Sequence, residues 1–113
     1  MSSFTRCKQG AVELVQGDEP LNADHVPKVL TLLQACAERS QPRVVLDLER
    51  VPLVDSAGLE MLLDIQEEFQ SRGGCLKLAC RGSLCREILA VTGVGRSFEV
   101  FGDAAAAVAS FVQ

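Results

Sequence analysis

Two neighbouring stretches decide how this chain is read: Val44-Val45-Leu46-Asp47-Leu48, then Leu53-Val54-Asp55-Ser56-Ala57-Gly58-Leu59. The first is a short apolar run of the kind that forms a buried strand. After the second, Leu59, Leu62, Leu63, Gln66 and Phe69 recur at helical spacing. Asp55-Ser56 therefore falls where a strand gives way to a helix. A helix start leaves backbone N–H groups without intrahelical partners and carries partial positive charge, so Asp or Ser there can cap it. The same environment suits a phosphate.

Working outward, Phe4 to Lys8 and Ala11 to Gln16 flank Gln9-Gly10 and read as a hairpin. Gly17-Asp18-Glu19-Pro20 breaks the second strand. Val26, Val29, Leu30, Leu33, Cys36 and Ala37 then mark one face of a helix expected to run to about Arg39. Pro27 limits its start: with Asp24 as cap the proline falls in the first turn, whereas with Asn22 as cap it removes an internal bond. Ser40-Gln41-Pro42 links into the strand Arg43 to Leu48. The helix after Asp55-Ser56 should stop at Arg72-Gly73-Gly74, where glycine supplies a left-handed cap.

Cys75 to Cys80 forms the next strand, and Gly82-Ser83 opens a helix with Leu84, Cys85, Ile88, Leu89 and Val91 on its buried side, closed by Thr92-Gly93. Phe98 to Phe101 is the last strand, and Asp103 caps a final helix, Ala104 to Val112. Helix and strand alternate after the hairpin, so parallel strands joined by right-handed crossovers are expected.

The totals narrow the function classes. A chain of 113 residues, 48% hydrophobic, suits one domain with one core, spanning residues 1–113. A net charge of -4, with five Phe and no Trp or Tyr, provides neither a basic surface nor stacking platforms for nucleic acid. The apolar runs are too short to cross a bilayer, and the N-terminus has no continuous apolar segment, so a cytoplasmic protein is expected. Cys7, Cys36, Cys75, Cys80 and Cys85 include no C-x-x-C pair and read as reduced, mostly packed thiols; with one His, a zinc site is nearly excluded. Glu60, Asp64, Glu67 and Glu68 read as a solvated helix face.

The run Val44 to Leu48, then Val54-Asp55-Ser56-Ala57-Gly58-Leu59, then Arg72-Gly73-Gly74, and lastly Thr92-Gly93-Val94 leading into Phe98 to Phe101, resembles the STAS domain. This is the fold of bacterial anti-sigma factor antagonists and of the cytosolic ends of sulphate transporters. The resemblance covers nearly everything from Arg43 onward. It implies a single STAS-like α/β domain, a mixed and mostly parallel sheet of about five strands with about four helices.

In antagonists of this family the serine after the aspartate is phosphorylated by a partner anti-sigma factor that is itself an ATP-dependent serine kinase. By position that serine is Ser56, with Asp55, Ala57, Gly58 and Glu60 around it as the partner-binding surface. Asp18 and Glu19 join that surface if the first loop folds over the same end. The loop Gly17-Asp18-Glu19-Pro20-Leu21 departs from the family's usual turn of glycine, an acid, leucine and aspartate. No cofactor or metal is implied, and the nucleotide and Mg²⁺ would come from the kinase.

Three other readings stand beside this one. Asp55-Ser56 can be a cap and nothing more. A STAS subunit can support another assembly, such as a lipid-transport ABC system, without a phosphorylation cycle. A serine hydrolase is disfavoured, because Val54 stands where the nucleophile elbow needs its first glycine and the only base candidate, His25, lies beside Asp24.

Overall fold

The computed structural model describes residues 4–38 and 41–112. Strands β1 (Thr5–Gln9) and β2 (Val12–Gln16) pair antiparallel, with Gln9 opposite Val12, so the hairpin closes through Gly10 and Ala11. Helix α1 (Val26–Cys36) follows, then β3 (Arg43–Asp47), α2 (Ser56–Ser71), β4 (Cys75–Ala79), α3 (Ser83–Thr92), β5 (Val100–Phe101) and α4 (Ala104–Ser110). The sheet order is β1-β2-β3-β4-β5, and every pairing after the hairpin is parallel.

The pleat sends alternate residues to opposite faces. Val44, Leu46, Leu76 and Leu78 join Val29 and Leu33 of α1, Leu62, Ile65 and Phe69 of α2, and Leu89 of α3 in one core. Val12, Leu14, Val45 and Ala79 face the other way and meet Ala107 of α4. The Ala-rich final helix thus packs on its own sheet, and the small side chain of Ala107 permits the close approach.

Several boundaries differ from the sequence reading. Helix α1 begins after His25, one residue beyond the Asp24 alternative, because Asn22 first folds the preceding turn: its Oδ1 accepts from the N–H of Asp24 at 3.1 Å and of His25 at 3.3 Å. Pro27 lies in the first turn, where its missing N–H is harmless. The helix stops at Cys36; Arg39 and Ser40, where its end and the following linker were expected, lie outside the described residues. Helices α2 and α3 close at Gly73 and Gly93, with φ of 81° and 76°. The expected strand Phe98 to Phe101 shrinks to Val100–Phe101, since a 3₁₀ turn (Val94–Ser97) precedes it.

Gln66 explains how the sheet tolerates so short a last strand. β5 pairs with β4 only at Leu78 and Ala79, so the edge of β4 at Leu76 has no strand beside it there. The buried Gln66 amide fills that place. Its Oε1 accepts from the Leu76 N–H at 2.7 Å, and its Nε2 donates to the carbonyls of Leu76 at 3.1 Å and Ser97 at 2.8 Å. Replacing Gln66→Leu keeps the volume and strands a donor and two carbonyls in the core, at about 1–3 kcal/mol for a buried unsatisfied group. We expect a loss of about 2–4 kcal/mol in urea unfolding; a loss below about 0.5 kcal/mol would show that the amide is dispensable.

Candidate functional site

The site is assembled where the sheet's parallel strands end. Asp55 adopts an extended conformation (φ -97°, ψ -174°) and caps α2, its Oδ1 accepting from the Gly58 N–H at 3.0 Å while its carbonyl accepts from Leu59 at 2.9 Å. Ser56 is thereby the first helical residue, and it is exposed. Ala57 is half-buried and Glu60, one turn on, is exposed.

The first loop does fold over this end. The Leu21 N–H donates to the Leu53 carbonyl at 2.9 Å, and the Asp55 N–H donates to the Leu21 carbonyl at 3.1 Å, so residues 21 and 54 form a one-residue parallel bridge. Asp18 is exposed and Glu19 half-buried in the loop just before Leu21. Glu19 is also held from the other side, a carboxylate oxygen lying 3.6 Å from His25 Nε2 while His25 Nδ1 sits 3.0 Å from Asn22 Oδ1. His25 is thus occupied with the α1 cap and the first loop.

Gly58 has a different place from the one the motif suggested. It is buried, and a Cβ on it would come 2.5 Å from the Leu21 carbonyl oxygen and 2.9 Å from Val54. It offers a partner no side chain; it lets the first turn of α2 slide beneath the first loop. Asp55, Ser56, Ala57 and Glu60 remain together at the surface, with Asp18 and Glu19 on the adjoining loop.

Sequence reasoning missed one juxtaposition. Asp18 of the first loop, Gln16 at the end of β2, and Asp47, Glu49 and Arg50 at the end of β3 border an open hollow of about 430 Å³. Strand pairing brings them together, Gln16 standing directly beside Asp47, and no local spacing announces it. Among the described residues no group of three or more His, Cys, Asp or Glu side chains is set to hold a metal ion. No helix among them is long and apolar enough to cross a membrane.

Burial, followed by the Glu13 carboxylate, pushes the Cys36 thiol up to about 11; burial, followed by a hydrogen bond with the Cys85 thiol, pushes Cys80 up to about 12. Burial raises Cys75 and Cys85 as well. Such thiols are poor nucleophiles at neutral pH. Cys7 on β1 is exposed.

The sequence model of the STAS domain matches residues 6–107. The chain belongs to the STAS domain family. A relative from Bordetella bronchiseptica, named for anti-sigma factor antagonism as BtrV, is 30% identical over 105 residues, covering 93% of this chain and 83% of its own. Among solved structures, an anti-sigma factor antagonist from Mycobacterium paratuberculosis superposes with a TM-score of 0.87 at 21% identity, covering 97% of this chain and 93% of its own. SpoIIAA, an anti-sigma factor antagonist in its unphosphorylated form, gives 0.72 at 16% identity, with 91% of each chain covered. These two likenesses establish a shared STAS fold.

Within this STAS domain the Gly58 contact is testable. Gly58→Ala should cost about 1–3 kcal/mol by overpacking against backbone that cannot rotate aside, read as a lower urea midpoint; an unchanged midpoint would mean that the loop gives way freely. The raised thiols set a pH dependence. Because Cys36 and Cys80 hold their protons more tightly folded than unfolded, their contribution is complete below about pH 8.5, the free thiol value, and is lost as pH rises toward the folded values. The urea midpoint should therefore fall between pH 8 and pH 10.5, and fall less steeply in Cys80→Ala than in the wild type; parallel slopes would remove Cys80 as a source.

Proposed function

We propose that this STAS domain is an anti-sigma factor antagonist that binds an anti-sigma serine kinase while Ser56 is free and releases it when Ser56 is phosphorylated. The observation that carries the reading is the exposed Ser56 directly after the capping Asp55, in a chain whose Bordetella relative bears the name of an anti-sigma factor antagonist. A serine at the first helical position can enter another protein's active site without unfolding the helix. The kinase supplies nucleotide and Mg²⁺, and this chain supplies the acceptor oxygen. The name under which the SpoIIAA structure is known, its unphosphorylated form, makes phosphorylation a variable of that relative and supports the same variable here.

The charge argument gives the switch its direction. Phosphorylation adds about -1.5 to -2 charges beside the Asp55 carboxylate, with Glu60 one turn away. The positive end of α2 tolerates the phosphate, so the domain stays folded. A partner surface fitted to a neutral hydroxyl must desolvate and oppose the new charge, and like charges facing across an interface cost several kcal/mol.

Titration calorimetry with the purified anti-sigma kinase of the same genome tests this. Ser56→Ala should bind at least as tightly as the wild type and take up no phosphate, and Ser56→Asp should bind about 100-fold more weakly. Equal affinity of wild type and Ser56→Asp, or a phosphate mapped to another residue, would overturn the switch.

A further inference from the structure

Helix α3 carries two apolar stripes, and the core uses one. Cys85 and Leu89 turn inward, Leu89 being buried. Leu84, Ile88 and Val91 follow i, i+4, i+7 spacing along a second line, and the structure corrects the expectation that all five are buried. Leu84 is 57% exposed and Val91 80% exposed. The reason is geometric: a helix lying on a sheet buries one stripe, and α3 sits near the sheet's end, where only the two-residue β5 follows.

The outward stripe has a neighbour. Pro52 and Leu53 of the loop before α2, with Leu53 44% exposed, face Leu84, Cys85 and Ile88 across a hollow of about 70 Å³. Three of the five large apolar residues exposed among the described residues, namely Leu53, Leu84 and Val91, thus lie along one strip. Single exposed apolar residues are ordinary, but a contiguous strip marks a surface that meets another molecule.

What covers it follows from its position. Leu53 and Val54 wall the hollow, and the next two residues are the cap Asp55 and Ser56. Three residues of chain hold Leu53 within about 11 Å of Ser56. A standard protein interface takes about 800 Å² from each partner, a patch about 30 Å across, on a molecule measuring 31 × 29 × 23 Å. A protein that closes over Ser56 therefore reaches Leu53 and the hollow that Leu53 shares with Leu84 and Ile88. Its chemistry there must be apolar, since Glu49 is the one charged residue bordering the hollow.

We propose that the Leu53, Leu84, Ile88 and Val91 strip is the anchor of the anti-sigma factor interface, with the hollow between α3 and the loop before α2 receiving one aliphatic side chain of that partner. The proposal rests on the reading of Ser56 as part of the same interface, and it divides the work between the two. An apolar contact is indifferent to the charge of a nearby serine, so the strip sets how tightly either form binds, and Ser56 sets the ratio between the forms.

The test titrates the purified anti-sigma kinase, loaded with ADP, into wild type, Ser56→Asp, Leu84→Ser and the pair Leu84→Ser with Val91→Ser, with melting curves and sedimentation of each variant alone. Both stripe residues are exposed, so the stripe variants should melt with the wild type. Leu84→Ser should bind about 10-fold more weakly and the pair up to about 100-fold more weakly, as at truncated hot spots. Loss in Ser56→Asp alone, with the stripe variants binding as wild type, overturns the anchor and leaves the switch standing. Loss in the stripe variants alone overturns the switch and leaves the anchor. Self-association of the wild type that the stripe substitutions abolish, with kinase binding unchanged, assigns the strip to a second copy of this chain and overturns the proposal.

Discussion

Each parallel connection in this sheet steps to the next strand in the same direction, and each must be right-handed. From β2 to β5 there is no reversal, so α1, α2 and α3 are driven onto one face, and only α4, after the last strand, reaches the other. The same constraint gathers the loops that leave the parallel strands at one end of the sheet. That is why the first loop, the loop before α2 and the start of α3 are neighbours although up to about sixty residues separate them in the chain. A site built there draws on three segments with no sequence relation to one another.

Holding these loops together takes little material. Two backbone hydrogen bonds join Leu21 to Leu53 and Asp55, and the missing side chain of Gly58 lets them form. The cap carboxylate of Asp55 is used on the Gly58 N–H, so it orients the first turn of α2 as well as placing negative charge beside Ser56. Ser56 is thereby presented as the first residue of a capped helix.

Two polar residues inside the fold serve the sheet. Gln66 replaces the missing length of β5 with side-chain hydrogen bonds. Lys77, nearly buried on the α4 face, donates to Ser110 Oγ at 2.8 Å, lies 3.3 Å from a Glu99 carboxylate oxygen and sits 4.1 Å from the centre of the Phe111 ring. A buried ammonium without partners would be costly, so these contacts tie the end of α4 to β4. In both cases a polar side chain at a core position is explained by the partners it holds.

Most of the architecture was legible in the sequence, because strand and helix periods, the Gly10 turn, the Asp55 and Asp103 caps and the glycine stops are local signals, each set by the backbone needs of a few consecutive residues. The exposed Ser56 at the start of α2 follows from the same local logic. What the chain's order could not reveal are contacts between distant residues. The Leu21 bridge decides that Gly58 is inside. The two-residue β5 decides that Gln66 is a strand substitute and that a stripe of α3 is left without a sheet to cover it. Periodicity reports that a helix has apolar residues on a side; only the packing of its neighbours decides which side meets the core and which meets water.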